Sequence, residues 1–144
     1  MSVSNAFEAA LLDLIFLNTD IPLVARGLVS AGSYYIALHT ADPGEAGDQT
    51  TNEIAYTNYT RVAVPKNGTY FVRSGSAPTQ ISNVLAISFP TCGVTGATAT
   101  HWSIGVAASG ASMTMWYGAL NAPLVISNGL APVFGAGAFI NTVD

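Results

Sequence analysis

The sequence predicts an all-β chain, a β-sandwich or jelly-roll-like domain, preceded by one N-terminal α-helix. From residue 33 onward, short runs rich in β-branched and aromatic residues recur at regular spacing, which is the pattern of strands. Turn dipeptides separate them: Asn67-Gly68, Ser109-Gly110, Asn128-Gly129 and the run Gly135-Ala136-Gly137. No 3.6-residue periodicity returns after residue 18, so no crossover helix is available for a parallel sheet.

The helix comes first, over residues 5–18. Asn5 followed by Glu8 has the spacing of a capping box, in which each side chain satisfies a free N–H of the first turn. Phe7, Leu11, Leu14, Ile15 and Asn18 fall on one helical face, with Ala10 beside it. Asp20-Ile21-Pro22 stops the helix, because a residue before proline avoids helical angles. The helix is apolar around much of its circumference and needs covering on more than one side. Phe7, Leu11, Leu14 and Ile15 are its candidate interface, either with another subunit or with the chain's own sandwich.

Strands are expected over 34–40, 59–64, 69–74, 84–89, 98–107, 112–120, 123–127 and 138–143. Asn67-Gly68 between Val62–Val64 and Tyr70–Val72 reads as a hairpin turn, since both residues tolerate positive φ. About eight strands with no linker or repeat between them imply a single domain over 1–144, its sandwich over 33–144.

Composition narrows the function. Charged residues make up 8% of the chain and hydrophobic residues 50%, with mean hydropathy +0.42; ordinary domains carry about 25% charged residues. The longest apolar candidate for a membrane span, Ala9–Leu17, is short and interrupted by Asp13. Residues 1–16 contain Glu8 and Asp13 and no Lys or Arg, unlike a secretory signal. The remaining reading is a subunit whose surface is covered by other subunits, because interface centres are depleted of charge. The four cations, Arg26, Arg61, Lys66 and Arg73, do not cluster against a net charge of −4, which argues against nucleic acid as a partner. Cys92 stands alone and reads as a small buried apolar residue.

Chemistry-bearing motifs are few. Asp42, Glu45, Asp48 and Glu53 hold half of the acidic residues in one connection. Glu53 falls at the twelfth position from Asp42, as in a calcium loop, but Gly44 and Ala46 occupy positions that should supply oxygens. The segment therefore reads as a solvated loop, with a metal site as the rival. His39 and His101, the only histidines, sit in strand-like runs, and no nucleophile elbow, paired-histidine or paired-cysteine motif accompanies them. No catalytic residue, cofactor or metal is expected. Trp102, Trp116, Tyr117, Tyr56, Tyr59 and Tyr70 could stack on a sugar, although sheet aromatics more often fill cores and interfaces.

Several stretches carry a family resemblance. YIALHTADPGEAG (35–47), followed by NEIAY (52–56) and YTRVAV (59–64), resembles a group of small tailed-bacteriophage virion proteins often labelled tail fibre. SNAFEAALL (4–12), Phe89-Pro90, HWSIG (101–105), ASG (108–110), GAL (118–120) and ISNG (126–129) are similar to the same group in the same order. The chain departs from it at Pro65–Tyr70, where the group tends to have Arg-Ser and Gly-Trp. In size and all-β character it also resembles the jelly-roll-like cement proteins of phage heads. The resemblance implies a non-enzymatic virion protein assembled in the host cytoplasm. The first expectation is a cement or decoration protein that stabilises the head as a homo-oligomer, its partners being itself and the major capsid protein. The alternative is a tail or tail-fibre component that binds a receptor or glycan.

Overall fold

A computed structural model describes residues 4–25, 32–75 and 79–143. One helix, α1 (Asn5–Leu17), is followed by nine strands: β1 (Ser33–His39), β2 (Val62–Pro65), β3 (Phe71–Ser74), β4 (Thr79–Asn83), β5 (Ile87–Ser88), β6 (Ala97–Gly105), β7 (Thr114–Ile126), β8 (Val133–Phe134) and β9 (Ile140–Val143). The class is all-β with an N-terminal helix, as the sequence predicts. The chain forms two compact units, one from Met1–Ser33, Pro65–Ile87 and Phe134–Asp144, the other from Tyr34–Val64 and Ser88–Val133.

In the first unit α1 packs on the sheet β3-β4-β9. Ser4, not Asn5, caps the helix: its extended backbone and hydroxyl leave Asn5 as the first helical residue. The Phe7 N–H donates to Ser4 Oγ at 3.4 Å, so the expected Asn5–Glu8 box does not form. The helix stops at Leu17, ahead of the expected Asp20-Ile21-Pro22 signal, because Asn18 turns left-handed (φ 60) and the Thr19 N–H returns to the Asp13 carbonyl at 3.1 Å. The buried stripe is Glu8, Leu12 and Phe16. Phe16 meets Phe71 of β3 edge-on, ring centroids 5.0 Å apart.

Strand β4 alternates buried Thr79, Ile81 and Asn83 with half-buried Gln80 and Ser82. Asn83 joins three segments. Its Nδ2 donates to the Leu85 and Gly135 carbonyls, both at 2.8 Å, and its Oδ1 accepts from Phe139 N–H at 2.9 Å. Its own carbonyl accepts from Gly137 N–H at 2.8 Å.

The second unit is built on the sheet β2-β1-β6-β7. β1 and β6 pair antiparallel from Tyr35↔Gly105 to His39↔His101. β6 continues through a turn into β7, which the sequence reads as two strands, 112–120 and 123–127. The two join because Ala99 pairs with Leu124 and His101 with Ala119, leaving Leu120–Pro123 as a bulge opposite Thr100. The expected hairpin at Asn67-Gly68 is absent: β2 pairs in one sheet and β3 in the other. Asn67 Oδ1 instead accepts from Thr69 N–H at 2.9 Å, an Asx turn that redirects the chain.

Candidate functional site

Ala37 pairs with Ser103 and His39 with His101, so the alternation of side chains puts His39 and Ser103 on one face of the sheet. The connection after β1 folds back over that face. Thr40 N–H bonds to the Asn52 carbonyl at 2.8 Å and Ile54 N–H to the Leu38 carbonyl at 2.9 Å. Gln49 is thereby pressed against Gly105, where an added Cβ would lie 2.1 Å from its Oε1, so a side chain at this position would displace Gln49 from its bonds.

A buried polar network results. Arg61 grips Glu53 through both carboxylate oxygens, Nε to Oε1 at 2.7 Å and Nη2 to Oε2 at 2.8 Å. Its Nη1 donates to Gln49 Oε1 at 3.2 Å and the Ala107 carbonyl at 3.0 Å, and Nη2 also donates to the Gly110 carbonyl at 2.9 Å. All five guanidinium N–H groups are thus in use. The side chains of Arg61 and Glu53 are 2% and 19% exposed. Breaking such a pair costs about 3–5 kcal/mol, because one charge is left buried alone. Tyr59 donates its hydroxyl to Glu53 Oε1 at 3.0 Å and accepts from Leu38 N–H at 3.2 Å. Burial holds the Tyr59 phenol far above its ordinary range, while the bonds to Glu53 hold the Arg61 guanidinium above its own.

Gln49 Nε2 carries the network on to the Tyr35 carbonyl at 2.8 Å and Ser103 Oγ at 3.3 Å. His39 completes it, Nδ1 lying 2.8 Å from the Thr51 carbonyl and Nε2 2.7 Å from Ser103 Oγ. A carbonyl can only accept, which assigns the proton to Nδ1 and leaves Nε2 to accept from Ser103. Burial lowers the His39 pKa, favouring this neutral form.

The pair superficially resembles a serine nucleophile and its base. Both residues are 0% exposed, so no substrate reaches the hydroxyl in this state. An open cleft of about 360 Å³ lies over Glu53, Tyr59, Arg61 and Gly110. Its floor is the Arg61 lock, whose donors are already committed to the protein.

The acidic residues do not converge. Asp42 Oδ1 accepts from Gly44 N–H at 2.8 Å, and Asp48 Oδ1 accepts from the N–H and hydroxyl of Thr50 at 2.7 and 2.5 Å. These are Asx turns that shape the loop, and the Thr50 bonds hold the Asp48 carboxyl below its ordinary range. Glu53 points inward to Arg61. Among the described residues no three His, Cys, Asp or Glu side chains gather as a metal set.

His101 is half-buried, its Nδ1 2.9 Å from Thr100 Oγ1. Trp102 lies over Gly118, where an added Cβ would stand 3.2 Å from the indole, and it shares a sheet face with Trp116. Tyr56 and Tyr59 pack edge-on at 5.3 Å, and Phe89 stacks on Tyr59 at 6.4 Å. The Tyr56 hydroxyl donates to the Pro90 carbonyl at 2.9 Å, and burial pushes its pKa up to about 12. Tyr56 is core, and Tyr59 is half-buried at the cleft. Tyr70 lies in the turn before β3. In the first unit Phe7 is 40% exposed, and Leu11, Leu14 and Ile15 are half-buried.

Sequence reasoning missed Arg61, Gln49, Ser103 and Asn83. For Arg61 a signal existed: an ion inside the run Tyr59–Val64, where a buried charge needs a partner. Among the described residues no helix is long and apolar enough to cross a membrane.

No curated protein matches the chain. The family model of the podophage GP4 fiber I protein gp80 matches residues 2–142. With an all-β fold and a match along nearly its whole length, the chain belongs to the podophage GP4 fiber I protein gp80 family, a family of tailed-phage virion structural proteins.

Proposed function

We propose that this chain is a non-enzymatic structural subunit of the tail fibre, acting by assembly with other virion proteins. The family match over residues 2–142, with its fibre description, carries this reading. It favours the tail over the head-cement role, for which the charge-poor composition speaks equally well. The internal chemistry supports a structural role. His39 and Ser103 are closed to substrate, and Arg61 spends every donor on the protein itself.

Copy number separates the two positions. Quantitative mass spectrometry of purified virions, referenced to the major capsid protein, should find this chain at a small fraction of the capsid copy number. Near-equal copies would place it on the shell and make cement the working answer.

A further inference from the structure

The open cleft of about 360 Å³ in the second unit takes its lining from two segments, residues 53–55 and 59–61 after β1 and residues 108–110 between β6 and β7. Its volume lies at the lower end of small-molecule pockets, about 300–1,000 Å³. One side chain ties the two segments together. Arg61 grips the Glu53 carboxylate and also donates to the Ala107 and Gly110 carbonyls, at 3.0 and 2.9 Å. A buried ion pair often adds little stability over apolar residues of the same volume; what this pair supplies is position. Both segments are held in place before a ligand arrives, which removes an ordering cost from binding.

The chemistry left open in the cleft selects the ligand. Every guanidinium N–H of Arg61 is spent on the protein, and among the described residues no other cation lines the cleft, so phosphate or carboxylate groups find no charged donor there. The Glu53 charge is answered by Arg61, and among the described residues no second carboxylate lines the cleft to draw a cation. Hydrogen-bonding groups without net charge remain. Glu53 Oε2 accepts one bond, from Arg61 Nη2, where a carboxylate oxygen can accept two, and the side chain is 19% exposed. Thr60 and Ser109 are exposed, and their hydroxyls bond to no described residue. Ala55 and Ala108 add methyl groups to the same lining. The complementary ligand carries neighbouring hydroxyls, each able to donate and accept, on an uncharged carbon frame. We propose that the cleft binds a neutral sugar unit, one ring hydroxyl donating to Glu53 Oε2 and its neighbours bonding with Thr60 and Ser109. This ligand role goes beyond the assembly role proposed above and does not depend on it.

Amide NMR spectra of the isotope-labelled chain, titrated with methyl glycosides of glucose, galactose, mannose and rhamnose, test the proposal, with glucuronic acid as the anionic probe. At least one glycoside should shift amides of 53–55, 59–61 and 108–110 saturably, with Kd on the order of 1 mM for so open a site, and leave those of α1 unmoved. Replacing both hydroxyls, Thr60→Val with Ser109→Ala, should weaken binding at least about tenfold. Both residues are exposed, so the core is untouched. Ser127→Ala, at an exposed serine of the same unit outside the cleft lining, should leave affinity unchanged. Saturable shifts confined to other residues overturn the proposal, as does a double variant that binds like wild type. Glucuronic acid bound as tightly as the neutral sugars also overturns it, because Arg61 then has a donor to spare. No saturation by any glycoside up to about 50 mM, well above that Kd, overturns it as well. Virion copy number is independent of these results, so a failed sugar site and a failed fibre assignment remain distinguishable.

Discussion

At the residue scale, the second unit depends on keeping His39 neutral. Its ring nitrogens are matched to one acceptor, the Thr51 carbonyl, and one donor, the Ser103 hydroxyl. A second ring proton would face Ser103 with no change of partner available except rotation of that hydroxyl. Burial lowers the His39 pKa from the unfolded value of 6.5. The unfolded chain therefore binds this proton first as pH falls. Stability is fully present above pH 6.5 and declines from there toward the folded pKa, with a slope of at most about 1.4 kcal/mol per pH unit for one proton. Asp48, whose pKa is lowered from 3.8, acts only at more acid pH. Thermal melts between pH 7.5 and 5 should show Tm falling below pH 6.5 in wild type. A His39→Gln variant should be less stable at pH 7.5 but flatter below it; an equal slope in the variant would assign the effect to another group.

At the element scale, α1 shows where sequence pattern informs and where it stops. Its existence was legible because apolar residues recur at helical spacing over 7–18. Its buried face was not, because the helix is apolar nearly all round and periodicity then has no contrast. The expected face, Phe7, Leu11, Leu14 and Ile15, lies partly open, while Glu8, Leu12 and Phe16 are inside. Leu12→Ala should thus cost about 2–5 kcal/mol in denaturant unfolding, and Leu11→Ala clearly less; equal costs would mean that the helix is rotated from the face described. β4 was illegible for a different reason: Thr79–Asn83 holds one apolar residue and is fixed as a strand by partners on both sides and by the Asn83 bonds to distant backbone. The Asn67-Gly68 signal was local and real as a turn, but strand partnership is a tertiary fact that two residues do not encode. The candidate site followed the same rule. Its acids were visible as types, whereas the Arg61–Glu53 lock depends on the fold-back of the loop onto β1.

At the scale of the whole molecule, the uneven distribution of charge should control how copies behave together. Net charge is −4. In the second unit the solvent-facing formal charges are Asp42, Glu45 and Asp48, and the unit's one cation, Arg61, is paired with Glu53 and reaches only Asp48 among them as a weaker influence. Asp42 and Glu45 act on Tyr117 of β7, so the acidic loop lies within electrostatic reach of that strand. Copies that approach through this unit therefore bring like charges together. Association held by ion pairs weakens with added salt; association opposed by like charges strengthens with it, as the Debye length falls from about 10 Å at 0.1 M to about 3 Å at 1 M. Light scattering at pH 7.5 should therefore report larger species as salt rises. Lowering pH toward the isoelectric point, about 4.8, should act in the same direction by removing the carboxylate charge. If salt instead dissociates the assemblies, ion pairs hold the copies together, and the contact recruits the few cations of the first unit.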